Sequence, residues 1–352
     1  MITRPILLVE DRPDDVERTI RVSGAAARSV PALAVCLALA VGCGPRRADV
    51  PVEKLTVALA MLPHAALFHV AVARGFFGEE RLDVVVQPHR FGKTAVDALV
   101  SGEVDLATAA ETPFVLAALG GGRIVALATL SSATKNTGLV GRKASGIASP
   151  RDLAGKRIGV PFSTNAEFFL DTLLTYHGVD KGSVRLVDLK PDELPDALAR
   201  GAVDAVAIWN PYVLDLEKRL GDDVLVHYAD DIYLETFAIL GGKGIGERRR
   251  DAIERLMRAL LRAERFVWDH PEDAAKTVAA TLKADPADFA AVWACFNYRV
   301  RLDQGLLVLF GQEARWALRT GRVPKQDPPN FLDYVEAGPL SAVRPGAVRL
   351  IR

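Results

Sequence analysis

Hydrophobic positions along this chain switch repeatedly between a period of two and a period near 3.6, which predicts strands alternating with amphipathic helices. Residues 54–61 (KLTVALAM) alternate as a strand and run into the turn Leu62-Pro63-His64. A helix carrying Leu67, Val70 and Ala71 on one face follows, and stops at Arg74-Gly75. Residues 82–89 read as a second strand, and FGKT (91–94) as the loop that opens the next helix. Strands are expected again over 124–131, 136–143, 184–189 and 235–243. The stretch 149–162 (SPRDLAGKRIGVPF) reads as a Ser-Pro start, one short helix and a strand, with a helix continuing from Ala166. The last third is helical: Ile253, Leu256, Met257, Leu260, Leu261 and Glu264 fall on one stripe, with charge opposite. Such alternation predicts βαβ units and mainly parallel sheets.

One phrase in this pattern occurs twice. Residues 97–116 read DALVSGEVDLATAAETPFVL, and residues 196–214 read DALARGAVDAVAIWNPYVL. In each copy a helix stops near a glycine (Gly102, Gly201), and a Val-Asp pair (Val104-Asp105, Val203-Asp204) opens a short apolar strand. A loop then leads to a proline (Pro113, Pro211), a residue favoured just inside a helix start because its missing N–H would be unpaired there. Two copies are too few for a solenoid. They predict two similar α/β lobes whose strand-end loops converge on one cleft.

The 352 residues, 50% of them hydrophobic, suffice for one large or two modest cored domains. The 44 basic side chains balance 44 acidic ones, which argues against a nucleic-acid binder. The three cysteines form neither a disulfide framework nor a C-x-x-C pair. Cys295, in the run 290–295, reads as a small buried apolar residue.

The uncharged run 31–42 (PALAVCLALAVG) is shorter than the roughly 20 residues of a membrane span and matches a signal-peptide core, with Arg28 as its basic flank. Small residues before Cys43 resemble a bacterial lipobox, although Ala40 stands where a leucine is usual. The expectation is a signal peptide over 22–42, an acylated Cys43 as first mature residue, and a linker over 43–53. Upstream, ILLVEDRPDD (6–15) resembles the start of a receiver domain whose remainder has no room, so 1–21 reads as a mis-set start or remnant.

The segments ARGFF (73–77), ALVSGEVDLA (98–107), DLAGKRIGV (152–160), IWNPY (208–212), YRVRLDQGLL (298–307) and EARWAL (313–318) occur in one order. In that order they resemble the nitrate, sulfonate, taurine and thiamine-precursor binding proteins of ABC importers, over about 54–347. The resemblance implies an α/β, two-lobed periplasmic-binding-protein type II fold with a ligand cleft between lobes. Lobe 1 would span 54–138, lobe 2 139–237, a return to lobe 1 with C-terminal helices 238–335, and a tail 336–352. It further implies a small-molecule ligand, a permease and its ATPase as partners, and an extracytoplasmic location on a lipid anchor. No cofactor, metal or nucleic acid is implied. Fungal members make a thiamine pyrimidine with a cysteine-rich motif that this chain lacks.

Candidate ligand contacts are the loops at strand ends. Ser163, Thr164 and Asn165 follow a strand and open a helix, where hydroxyls, free N–H groups and the positive helix end suit an oxyanion. Trp209 and Asn210 occupy the matching loop of the second repeat, Glu111 and Thr112 that of the first. Pro63 and His64 follow the first strand; Lys93, Thr94, Lys135 and Asn136 are polar loop residues; Glu235 and Thr236 open the return strand. Phe68, Phe91 and Phe162 could instead line an aromatic site beside Trp209. Gly155-Lys156 precedes a strand, not the helix a phosphate loop needs, and the six histidines lack metal-ligand spacing. The leading expectation is a non-enzymatic solute-binding protein for a sulfonate-like anion. The alternatives are a same-fold biosynthetic enzyme of the menaquinone-dehydratase kind and an extracytoplasmic sensor.

Overall fold

The computed structural model describes residues 51–351 and the backbone strand at 20–22. Apart from Val22, the expected signal peptide lies outside the described residues, as do the acylated Cys43 and most of the linker. The chain first lays down strands β1 (Ile20–Val22), β2 (Glu53–Ala60), β3 (Leu82–His89), β4 (Leu106–Ala110) and β5 (Ile124–Ala133). Helices α1 (Ala66–Ala73), α2 (Phe76–Glu79), α3 (Gly92–Val100) and α4 (Glu111–Leu119) are interleaved with them. It then crosses to a second sheet with β6 (Thr137–Arg142), β7 (Arg157–Val160), β8 (Arg185–Asp188), β9 (Ala205–Trp209) and β10 (Val224–Tyr228). Around that sheet lie α5 (Asn165–Tyr176), α6 (Leu194–Ala199) and α7 (Tyr212–Leu220). The chain returns through β11 (Glu235–Gly242) to α8 (Ile245–Arg248), α9 (Arg250–Asp269), α10 (Pro271–Leu282) and α11 (Pro286–Trp293). It finishes with β12 (Phe296–Asp303), α12 (Gln304–Arg319), α13 (Gly338–Val343) and β13 (Val348–Arg349).

The strand order is β1-β3-β2-β4-β11-β5-β12-β13 in lobe 1 and β10-β6-β9-β7-β8 in lobe 2. The sheets are mixed, not mainly parallel. Parallel pairing holds for β3-β2-β4 and β9-β7-β8, the βαβ units, and for β12-β13, whereas β11 runs antiparallel to β4 and β5, β12 to β5, and β6 to β9 and β10. The reason is topological. Strands of βαβ units end at the cleft, and a strand entering from the other lobe starts there, so it must run the opposite way. The segment 336–352 is no tail, because β13 joins β12 and Leu340 is fully buried. Ile20 and Arg21, read as part of a remnant, belong to β1, which pairs with the edge of β3.

The repeated Val-Asp has a structural explanation in both lobes. The Asp105 carboxylate accepts the Thr56 backbone N–H and hydroxyl, both at 2.8 Å, while its own N–H bonds back to Thr56. Asp204 accepts the Arg157 N–H at 2.9 Å and returns its N–H to the Arg157 carbonyl at 2.8 Å. Each aspartate thus pins the start of one repeat strand to the adjacent strand. Gly92 has an equally local cause: a Cβ there would stand 2.8 Å from the Ala109 Cα, so α3 seats on β4 only without a side chain.

Helix α9 anchors the C-terminal third. Ile253, Leu256, Met257 and Leu260 are fully buried, each stabilising the fold by roughly 1.5–3 kcal/mol. Ala252, Ala259 and Ala263 widen the stripe where α9 meets α1. Leu261 is only half-buried. Glu264 closes the stripe as a buried carboxylate, accepting the Val300 N–H and the Arg344 guanidinium. Cys295 falls beyond α11 and is half-buried, not a core residue. The lobes meet through Arg90–Asp192 (3.1 Å), Arg319–Asp171 (2.7 Å), Lys218–Asp288 and Arg322–Glu167.

Candidate functional site

Strand ends and helix starts of both lobes surround one void. It is lined by Leu62 and His64 after β2, Phe91, Gly92 and Lys93 at the start of α3, and Ala110 and Pro113 around the start of α4. Lobe 2 contributes Thr164 and Asn165 at the start of α5 and Trp209 at the end of β9; Glu235 and Phe237 of β11 complete it. The void is about 10 Å³, room for a single water.

Helix starts at this void carry no side-chain cap, a property they share with most helices of the described residues, α11 and α12 excepted. Helices α3, α4 and α5 begin at Phe91, Ala110 and Thr164 with no side-chain cap. Away from it, α11 and α12 are capped by the carboxylates of Asp285 and Asp303. An uncapped start leaves backbone N–H groups and the positive helix end for something else. The Thr164 hydroxyl is already committed, donating to the Pro161 carbonyl at 2.7 Å. The Ser163 N–H donates to Glu167, which also pairs with Arg322. Of the hydroxyls expected to serve an oxyanion, that of Thr164 is engaged within its own turn, and Ser163 is not among the residues lining the void. Trp209 is 3% exposed, and its indole N–H has no partner.

Behind the void lies a buried polar network. Glu235 contacts His64 Nε2 at 2.8 Å through one oxygen, and accepts the Asn136 amide (2.8 Å) and Thr137 hydroxyl (2.7 Å) with the other. The Asn165 amide donates to the Thr137 hydroxyl at 3.0 Å, and Asn136 Nδ2 approaches His64 Nε2 at 2.8 Å. Burial pushes the Glu235 carboxyl up, but His64 and these hydrogen bonds outweigh it and hold it below the usual carboxylate range. Glu111 accepts the Tyr233 hydroxyl and the Thr236 N–H (3.1 Å). Burial, then the charge of Glu235, push Glu111 up to about 8. Burial, then Glu111, push Glu313 well above the usual range; its other contact is the Thr112 hydroxyl at 2.7 Å. Burial thus favours the protonated forms of Glu111 and Glu313, while its hydrogen bonds hold Glu235 toward the carboxylate form. His64 Nδ1 and Asn136 Oδ1 are buried without partners.

Of the residues expected from the sequence, His64, Lys93, Thr164, Asn165, Trp209 and Glu235 line the void. Glu111, Thr112 and Asn136 stand one layer behind it. Pro63, Thr94, Ser163 and Asn210 are not among its lining residues. The Pro63 carbonyl accepts the Tyr298 hydroxyl, the Thr94 hydroxyl donates to the Phe91 carbonyl, and Asn210 Oδ1 accepts the Leu214 N–H. Lys93 pairs with Asp97, and Lys135 with Asp230. Lys93 and Thr94 lie within the first turn of α3, not in a loop. Phe91 faces the void, but Phe68 packs in the lobe 1 core on Phe77 and Phe162 lies under the Arg322 guanidinium. The sequence reading missed Phe237, Thr137, Tyr233 and Glu313. Glu313 carried a signal, an acid on the apolar face of α12 beside Phe310, Ala314 and Ala317.

Comparison with known proteins places this geometry in a context. A 32% identical relative, the taurine-binding periplasmic protein of Escherichia coli, aligns over 47% of this chain and 52% of its own length. The formylaminopyrimidine-binding protein of Halalkalibacterium halodurans is 24% identical over 64% of this chain and 70% of its own. Among solved structures, the alkanesulfonate-binding protein SsuA of Xanthomonas axonopodis pv. citri superposes with a TM-score of 0.72 at 19% identity, covering 83% of this chain and all of that one. The desulfurization enzyme DSZB shares the fold at a TM-score of 0.62 and 18% identity, covering 83% of this chain and 98% of its own. These relatives support a solute-binding role, on a fold that also hosts enzymes. A family model described as NMT1/THI5 like matches residues 63–274, and the chain belongs to that family.

Proposed function

We propose that this protein is the extracytoplasmic solute-capturing component of an ABC importer, and that its solute is a small organic anion of the sulfonate class. One observation carries the reading: the uncapped starts of α3, α4 and α5 border the same void as the partnerless indole N–H of Trp209. Backbone donors and helix ends in a buried setting bind an oxyanion without a formal cation. Burial favours the protonated forms of Glu111 and Glu313, which lessens the negative charge near such a ligand, and Glu235 is engaged by His64, Asn136 and Thr137. The relatives that bind taurine and alkanesulfonates support this class of ligand.

A void with room for one water admits a solute only when the lobes part. The crossovers at 134–136 and 229–234 are the hinge in this reading, and Arg90–Asp192 and Arg319–Asp171 re-form on closure. Closure around the solute then presents a changed surface to a permease. Acylation of Cys43 would hold the protein at the membrane; Cys43→Ser should release it from membrane fractions. Calorimetric titration with taurine and ethanesulfonate, against neutral formylaminopyrimidine, tests the reading. Binding of the sulfonates is expected; binding of the pyrimidine alone would overturn it.

A further inference from the structure

The loop that leads into α5 contains a residue in a costly conformation. Ser163 sits at φ 61°, in the left-handed region, immediately before the two residues of α5 that line the void. A residue carrying a Cβ is disfavoured there by roughly tenfold, so its neighbours must hold it in place. Three of the holding contacts lie within lobe 2. The Ser163 N–H donates to one Glu167 oxygen at 2.8 Å, the Phe162 N–H donates to Asp188 at 3.0 Å, and the Thr164 hydroxyl donates to the Pro161 carbonyl. The remaining contact comes from lobe 1. Arg322, just beyond α12, pairs with the other oxygen of Glu167, and its guanidinium carbon lies 4.3 Å from the centre of the Phe162 ring. The Glu167 side chain is only 4% exposed, so this pair is screened far less than a surface one.

Building on the anion reading above, we infer that Arg322 is a positioning residue of the solute site. When the lobes close, its guanidinium fixes the loop around Ser163 from two sides, through Phe162 directly and through Glu167 to the Ser163 N–H. The left-handed Ser163 in turn sets the direction of the Thr164 and Asn165 backbone at the void. Lobe 1 thereby completes a set of donors built from the backbone of lobe 2. With the lobes apart and Arg322 withdrawn, Ser163 relaxes toward the ordinary region and those donors lose their fixed direction. A second pair between lobes provides the contrast. Arg319 meets Asp171 at 2.7 Å, one turn further along α5, and the other charged partner of Asp171 is Lys181. That pair joins the lobes without touching the 161–164 loop.

The test is a double-mutant cycle read by calorimetric titration with taurine. Arg322→Ala should weaken binding about tenfold, the population cost of the left-handed Ser163. Arg322→Lys keeps a charge for Glu167 and should lose less. Ser163→Gly removes the conformational cost, because glycine enters the left-handed region freely. In that background Arg322→Ala should cost about threefold or less, a departure from additivity that a general clamp between lobes does not produce. Arg319→Ala should weaken binding by the same factor with and without Ser163→Gly. An Arg322→Ala loss that is equally large in both backgrounds overturns the inference. Failure of taurine to bind the wild type overturns the ligand class alone, and hydrogen exchange of the 161–168 amides then reads the coupling. Arg322→Ala should speed exchange there more than Arg319→Ala does; unchanged exchange, or equal acceleration by both variants, overturns the inference.

Discussion

His64 and Glu235 are 171 positions apart and meet at 2.8 Å with both side chains buried. His64 sits in the turn after β2, and Glu235 opens the strand that brings the chain back from lobe 2. Asn136 and Thr137, at the outgoing crossover, hydrogen-bond the same carboxylate. One side chain therefore joins the first loop of lobe 1 to both connections between lobes. Removing Glu235 leaves buried donors of Asn136 and Thr137 without their acceptor, at a cost of about 1–3 kcal/mol. Glu235→Ala should lose that much in urea unfolding, and a loss below about 1 kcal/mol would show the pair to be dispensable.

Glu111 should make stability fall with rising pH. Its folded value is pushed up to about 8 by burial and by Glu235, so the folded chain keeps a proton that the unfolded chain releases near 4.5. The contribution is complete below that lower value and lost as pH rises through 8. Glu235 acts in the opposite sense: its lowered value supports the fold above 4.5 and fails as pH falls. Thermal midpoints between pH 5 and 8 should decline in the wild type and decline less steeply in Glu111→Gln, where Glu313 still contributes in the same sense. An identical slope in both proteins would remove Glu111 from the explanation.

Trp209→Phe separates ligand binding from folding. The substitution keeps an aromatic side chain, smaller by the pyrrole ring, and deletes a buried N–H that lacks a partner. The free protein should lose no more than about 2 kcal/mol, since the cavity left by the smaller ring is offset by removal of an unpaired donor. Loss of a donor to a charged group costs about 1.5–3 kcal/mol, so taurine affinity should fall roughly ten- to a hundredfold. Unchanged affinity in calorimetry would take the indole N–H out of the site.

Thr164→Ala is expected to show the reverse pattern. Its hydroxyl ties the α5 start to the Pro161 carbonyl, so its loss should cost about 1 kcal/mol of stability. Sulfonate affinity should stay within about twofold, since only the backbone of Thr164 is available to a ligand. An affinity loss larger than the stability loss would return the hydroxyl to the ligand.

The repeated aspartates should behave as equivalents. Asp105→Ala and Asp204→Ala each leave a strand N–H without its acceptor, at a cost of about 1–3 kcal/mol. Urea titrations should show similar losses for both. A large effect in one lobe and none in the other would mean that the two copies no longer share a role.

The elements themselves were legible because they rest on local sequence: β3 spans the 82–89 read as a strand, and α9 buries the stripe from Ile253 to Glu264 apart from Leu261. The doubled phrase also announced the strand-to-helix junctions that line the void, since a loop at a strand end must open toward the same side in each copy. Pairing direction was not legible. Hydrophobic alternation is the same for parallel and antiparallel neighbours, and only the crossing between lobes makes β11 and β6 run against the βαβ strands. Nor did residue type separate the tasks at the site. Thr164 and Ser163 look like anion donors in sequence, yet the Thr164 hydroxyl and the Ser163 N–H bond within their own loop and helix, while the indole of Trp209 is left free. Glu111, Glu235 and Glu313 stand apart in the sequence, and their values diverge only because folding buries them together beside one histidine. Periodicity and the repeat determined the elements and the strand ends that carry the site. The tertiary structure alone decided which polar groups there are already satisfied, because a hydrogen bond depends on neighbours that the chain brings from more than a hundred residues away.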